Sequence, residues 1–328
     1  MIVTMPNTTT AAISHEIDEL HVERGEAALG RVLTLIISTR EADLETALAT
    51  VNAASREHPC RVIAIVTDTQ TLSEQSTVNS DPDCYKLIQP DKQGSGTLDA
   101  QIRFGADAGA GEIIVLAPVN KLLDHLDALV IPLLVPDAPV VTWWPSEAPA
   151  DPSNTPLGEK STSRITDAQK SANPADTVAE LRQHIQPADV DLSWTRITVW
   201  RAMLASILDQ PPHLPVQSVR VCGQSNYLPL ELLASWLALK LQVPVTVERT
   251  PDAQAITGVY FTREDGELGM DRLESDHAVI HQPNQVDQTV SLPLRSDSDC
   301  LNEELGRLDP DELYAEVISQ GWDLVSHN

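Results

Sequence analysis

Few side chains in this sequence stand at the spacings that chemistry demands. Cys60 lies within His58-Pro59-Cys60-Arg61, where a histidine and an arginine could lower a thiol pKa and make it reactive. The same residues also fit a buried cysteine at the start of a strand. Cys60 is therefore the candidate redox thiol. Gly105, Gly109 and Gly111 form the one glycine cluster that suggests a phosphate cradle. A dinucleotide fingerprint must pass from strand into helix, so that the helix N-terminus meets the pyrophosphate. Here a strand comes next, and the cluster reads as a hairpin loop. His277 and His281 have i, i+4 spacing, but the intervening Ala-Val-Ile and the nearby Pro283 point to a strand, which does not place two metal ligands on one helical face. Neither G-x-x-x-x-G-K-[ST] nor G-x-S-x-G occurs. No acid–base pair stands out among 48 acidic residues, so no catalytic set, metal or cofactor is expected.

Charge is more informative. Residues 192–230 contain Arg196, Arg201 and Arg220 but only Asp209 as an acid, inside a chain of net charge −26. On a helical wheel Trp194, Ile197, Trp200, Leu204, Ile207 and Leu208 form one apolar arc, and Arg201 points into it. Such a cation must be paired, or its stem must reach back to water. The alternative is contact with an anion or a partner's carboxylate. Four of the six tryptophans, Trp143, Trp144, Trp194 and Trp200, flank a Pro-rich connection at 145–163. Adjacent strand residues face opposite sides, so Trp143 and Trp144 cannot share one core, and one of them is expected at the surface or beneath the connection. Tryptophan beside arginine is the chemistry of interface anchors. Trp143, Trp144, Trp194, Arg196, Trp200 and Arg201 are accordingly the candidate partner contacts.

The elements that must position these residues alternate between strand and helix. Residues 31–38 and 62–67 read as buried strands around a helix at 41–56, where Leu44, Ala47, Leu48 and Val51 fall at helical spacing. Strands follow at 98–104, 112–117 and 140–144, with a helix at 119–130 between the last two. Past the connection, helices are expected at 176–186, 191–210 and 227–241, and strands at 217–222, 244–249, 256–262 and 286–292. The pair 256–262 turns at Asp265-Gly266. Asp309-Pro310-Asp311-Glu312 starts a last helix, with an N-cap carboxylate and proline at N1, that ends at Gly321. The expected fold is two α/β domains with mixed β-sheets flanked by helices, joined by the Pro-rich connection: 1–165, with a disordered start, and 166–328.

Composition bounds the partners. Hydrophobic residues at 42% and charged residues at 21% are globular values. The halves split at residue 150 carry −12 and −14, so the acidity belongs to the whole surface. Nucleic acid and anionic membranes are excluded as partners, because their affinity rests on Lys/Arg contacts to phosphate. Absence of a charged n-region, of an apolar span and of C-x-x-C pairs points to a cytoplasmic protein.

HPCR (58–61), LLVPDAPVVTWWPSEAP (133–149), SRITDAQ (163–169) and DLSWTRITVWRAMLASILDQ (191–210) resemble the actinobacterial OpcA family, the glucose-6-phosphate dehydrogenase assembly proteins. The resemblance runs from about residue 20 to 320. It implies a non-catalytic accessory protein, an assembly factor or allosteric activator, that binds glucose-6-phosphate dehydrogenase in the oxidative pentose phosphate pathway. It implies no catalytic residues. Cyanobacterial relatives are redox responsive, and no paired-cysteine motif accompanies the resemblance here. The competing expectation is a sensor or enzyme that binds an anionic metabolite such as a sugar phosphate through the Arg196 to Arg220 region.

Overall fold

A computed structural model describes residues 1–24, 32–68, 85–88, 98–104, 112–272 and 276–326. The chain divides into two compact units: Met1–Thr166 with Leu301–Asp309, and Asp167–Cys300 with Pro310–Asn328. The glycine loop at 105–111 and Cys84 lie outside the described residues.

The first unit contains β1 (Ile2–Met5), α1 (Thr10–Arg24), β2 (Leu33–Thr39), α2 (Leu44–Ala54), β3 (Cys60–Val66), β4 (Tyr85–Leu87), β5 (Leu98–Phe104) and β6 (Glu112–Pro118). It continues with α3 (Leu126–Val130), β7 (Val140–Trp144) and β8 (Ser163–Thr166). The strand order is β4-β1-β5-β6-β3-β2-β7-β8. Strands β6, β3, β2, β7 and β8 are parallel to one another, whereas β5 runs antiparallel to both β6 and β1. The β2-α2-β3 unit arises because β2 and β3 are apolar on both faces, as parallel strands covered on each side must be. Leu44, Ala47, Leu48 and Val51 form the buried stripe of α2, as their spacing predicts. Strands β5 and β6, on either side of residues 105–111, pair antiparallel.

Two expectations are corrected in this unit. The disordered start is instead strand β1, hydrogen-bonded between β4 and β5, followed by helix α1. Ile13, Ile17 and Leu20 stand at i, i+4 and i+7 and join Val3, Met5 and Phe104 in one core cluster. The helix at 119–130 is a 3-10 segment, Asn120–His125, leading into α3. Residues 145–163 fall within the first unit. Their tight packing is enforced at Gly158, where a Cβ would lie 1.7 Å from the Pro152 carbonyl oxygen.

The second unit holds α4 (Pro174–His184), β9 (Asp189–Asp191), α5 (Leu192–Thr195), α6 (Thr198–Leu208), β10 (Ser218–Gln224), α7 (Leu228–Leu241), β11 (Val245–Thr250) and β12 (Ile256–Arg263). Then come β13 (Gly266–Arg272), β14 (His277–His281), β15 (Gln288–Ser291), the first turn of α8 (Asp297–Gly306) and α9 (Glu312–Glu316). Its sheet has the order β11-β10-β12-β13-β14-β15. Only β10 and β11 are parallel; the remaining pairs are antiparallel. Val219, Val221, Phe261, Leu268 and Met270 face inward and are buried, and α7 packs on β10 and β11. The stretch 191–210 is two helices, broken at Arg196-Ile197. The final helix is capped by Asp311, which accepts from the Tyr314 N–H at 2.9 Å, two residues later than the expected cap. It closes in a π-helical turn ending at Gly321.

Candidate functional site

The break between α5 and α6 puts Arg196 into a buried ionic network. Its guanidinium donates two parallel bonds to Asp167, at 2.8 and 2.7 Å, and a third to Asp297 at 2.7 Å. Lys170 also bonds Asp297. Asp167 is only 1% exposed. Burial pushes its carboxyl up to about 6 despite the guanidinium it holds, so it is ionised at neutral pH yet within reach of a proton. Burial works against the Arg196 charge too, but the bonds to Asp167 and Asp297 outweigh it and raise its pKa. Asp191 shapes the entry to this turn, accepting from the Ser193 and Ala168 amides at 2.9 and 2.8 Å.

Arg201 lies half-buried with its guanidinium 3.7 Å from the centroid of the Trp194 ring, and it donates to Thr198 Oγ1 at 3.2 Å. A face-on cation of this kind is held by the ring quadrupole. Trp194 in turn donates its indole N–H to Asp311 at 3.0 Å. Arg220 sits on a different element, β10, 4.0 Å above the Tyr260 ring and bridged to Glu248 and Glu267 at 3.3 Å each. The two named ends of the Arg196 to Arg220 anion stretch are thus already engaged by carboxylates of the same unit.

The tryptophans expected as contact anchors are core residues. Trp143, Trp194 and Trp200 are 1–2% exposed and Trp144 is 5% exposed. Trp143 and Trp144 point to opposite faces of β7 as the strand period requires, and both are buried, which removes the surface alternative; Trp144 shares a core cluster with Leu157 of the 145–163 stretch. Cys60 is fully buried, and burial pushes its thiol up to about 12; this reverses the low pKa that a redox thiol needs. His58 and Arg61 do not activate it: Arg61 turns to Glu112 and to the Leu133 carbonyl. Among the described residues no disulfide joins Cys60, Cys222 or Cys300. His277 and His281 fall on strand β14, and His281 contacts Asp271 and Asp287 at 2.9 Å each. Among the described residues no cluster of His, Cys, Asp or Glu could hold a metal, and no helix is long and apolar enough to cross a membrane.

Three features that sequence reasoning missed have the geometry of contact sites. In the first unit, a cavity of about 300 Å³ opens at the C-terminal ends of β2, β3 and β7, lined by Thr39, Arg40, Thr67, Trp144 and Glu147. This is the point where the strand order reverses around β2, the usual ligand crevice of a parallel sheet. Its residues do not fit a dinucleotide. No glycine follows β2, Glu41, Asp43 and Glu45 crowd the helix start, and the Glu41 amide is already bonded to the Asp68 carboxylate at 2.7 Å.

In the second unit, the outward face of the sheet is an exposed polar surface. Cross-strand register aligns Thr246, Arg220, Tyr260 and His281 in one row, with Glu248, Cys222 and Asp271 in the next. Tyr260 bonds Asp271 through its hydroxyl. Its ring lies across Gly258 and Gly269, where an added Cβ would come within 2.7 Å of Oη and Cδ1. The third feature is a small pocket bounded by Trp200, Tyr227, Arg272, Leu292 and Arg295.

Residues 51–183 match the family described as the glucose-6-phosphate dehydrogenase subunit N-terminal domain, and residues 187–318 match its C-terminal counterpart. The chain belongs to the OpcA family. The putative OxPP cycle protein OpcA of Synechocystis is 24% identical over 232 residues, which are 67% of this chain and 45% of that relative. The chain thus spans less than half the length of that OpcA protein. Two solved structures align with most of the chain. An oxidoreductase from Sinorhizobium meliloti is 8% identical, with TM-score 0.49, over 90% of this chain and 95% of its own. A 3-ketoreductase from Actinomadura kijaniata is 10% identical, with TM-score 0.47, over 88% of this chain and 94% of its own.

Proposed function

We propose that this chain is a cytoplasmic accessory protein that binds glucose-6-phosphate dehydrogenase, assists its assembly or activates it, and thereby serves the oxidative pentose phosphate pathway without being an enzyme itself. The match of both halves to the glucose-6-phosphate dehydrogenase subunit family carries this reading. The chemistry of the first unit supports it: where an α/β sheet would seat a nucleotide, carboxylates occupy the helix start and repel phosphate. The outward sheet face of the second unit supplies the docking surface. Glu248, Glu267, Asp271 and Asp287 outnumber Arg220 there, so the face suits a basic patch on the dehydrogenase. In a chain of net charge −26, like charge disfavours a second copy as the occupant.

Titration calorimetry against purified glucose-6-phosphate dehydrogenase, with its rate measured in parallel, tests this. Saturable binding is expected. Reversing Glu248 and Glu267 to lysine should weaken it at least tenfold, and raising salt should weaken it as screening shortens to about 8–10 Å. If no heat and no rate change are found over the micromolar range, the accessory role is wrong. If binding survives the double reversal, the role stands and the surface lies elsewhere.

A further inference from the structure

We propose that the pocket beside α6 and the end of β13 in the second unit is an anion site that takes one oxyanion head, a phosphate monoester group or a carboxylate, with Arg272 as its principal cation. The inference is independent of the dehydrogenase reading. It begins with a contrast among the arginines of this unit. Arg182, Arg196, Arg220, Arg249 and Arg263 each hold a carboxylate. Arg272 forms no ion pair among the described residues. Its Nη2 donates to the Leu292 carbonyl at 2.9 Å, and its buried Nε has no hydrogen-bond partner. The Trp200 ring, 5.2 Å away, supplies its remaining stabilisation. Burial lowers its pKa, with Tyr227 the one neighbour acting against that trend, as expected for a cation withdrawn from water without a counter-charge.

The position is unusual for a cation. Leu268, Met270 and Arg272 occupy the same face of β13 by the two-residue strand period, and Leu268 and Met270 are fully inside. Arg272 therefore continues a core-facing row and ends it with a charge. Three more polar groups line the same pocket, one of them Arg196, whose guanidinium is held by Asp167 and Asp297. Arg295 spends its bonds on backbone carbonyls, those of Thr195 at 2.7 Å and Asp299 at 3.1 Å, and the half-buried Tyr227 brings a phenol. The rest of the wall is apolar, including Trp200, Ile256 and Leu292. Low-polarity walls strengthen a charge–charge contact well beyond its value in water. The centres of water-sized groups can occupy about 30 Å³ of it, roughly two to three times what a single water needs by that measure. That admits an oxyanion head with its substituent outside and excludes a whole nucleotide.

The test titrates the full chain with inorganic phosphate and, separately, with acetate, at ionic strength held constant with chloride. Melting temperature and the 15N-detected arginine Nε–H resonances are read together. Saturable stabilisation by at least one of the two anions is expected, with one guanidinium resonance moving in step. Phosphate alone identifies a phosphate monoester ligand, and acetate alone a carboxylate. Arg272→Gln should reduce the affinity at least tenfold, while Arg220→Gln, on the outward sheet face, should leave it unchanged. If neither anion exceeds the chloride control, or if Arg272→Gln binds like the parent, the site does not exist. Should Arg272→Gln fail to fold, the resonances of the parent decide: no arginine Nε–H shift with either anion overturns the proposal.

Discussion

Replacing Arg196 by methionine removes both parallel bonds to Asp167 and the bond to Asp297 while keeping most of the side-chain volume. The carboxylate left behind is 1% exposed, and its nearest remaining cation is Lys170 Nζ, 3.9 Å away. Breaking a buried pair from one side costs about 3–5 kcal/mol. At roughly 2–4 °C per kcal/mol for a unit of this size, the melting temperature should fall by roughly 6–20 °C. The loss depends on pH in a definite direction. Burial already pushes Asp167 up to about 6 with the guanidinium in place, and removing Arg196 raises it further. A carboxyl raised above its unfolded value binds its proton more tightly in the native state, so its contribution is most favourable at low pH and is lost as pH rises through the folded pKa. Urea unfolding at pH 5 and pH 8 should therefore show the larger penalty at pH 8. Asp297→Asn, which leaves the Asp167 pair intact at a partly exposed position, should cost about 1.5–3 kcal/mol. A penalty for Arg196→Met below about 1 kcal/mol at pH 8, or a larger penalty at pH 5, would refute the assignment of this network as a buried, desolvated pair.

Three further outcomes are expected. Iodoacetamide at pH 8 should leave Cys60 unmodified in the native protein, because its thiol is buried and pushed up to about 12; mass spectrometry that finds Cys60 alkylated before Cys222 would contradict this. Gly269→Ala places a methyl group 2.7 Å from Tyr260 Cδ1, so it should cost about 1–3 kcal/mol and change the near-ultraviolet dichroism, and an unaltered spectrum would show that the ring does not lie there. Trp144→Ala should destabilise by about 3–5 kcal/mol as a core truncation, whereas an unchanged melting temperature would return this residue to the surface.

Much of the fold is written in local periodicity. The apolar runs of β2 and β3, the stripe of α2 and the hydrophobic α7 are properties of neighbouring residues, and they appear where their spacing puts them. What the sequence hides depends on partners distant along the chain. The opening MIVTMPNTTTAAIS looks like a frayed polar start until β4 and β5 supply hydrogen bonds to Ile2–Met5, although Ile13, Ile17 and Leu20 mark the helix behind it. Arg196 breaks an otherwise continuous helical pattern because Asp167, 29 residues earlier, claims its guanidinium. The tryptophans were legible as large apolar anchors, but composition does not say whether the face beneath them is bare or covered. Arg272 escaped attention because it lies outside the acid-poor stretch; the alternation Leu268, Met270, Arg272 was the available signal.

The unit boundaries carry a consequence for inheritance and dissection. Residues 301–309 belong with the first unit although they lie inside the C-terminal family segment, 187–318. The polypeptide therefore passes from one unit to the other three times, after Thr166, Cys300 and Asp309. A gene truncated at residue 166 encodes a first unit missing part of itself, and the complementary fragment carries that part as an orphan. Splitting or swapping the two segments between relatives is then not a neutral exchange of modules, since the first unit depends on residues 301–309, a length of chain that only the intact gene supplies.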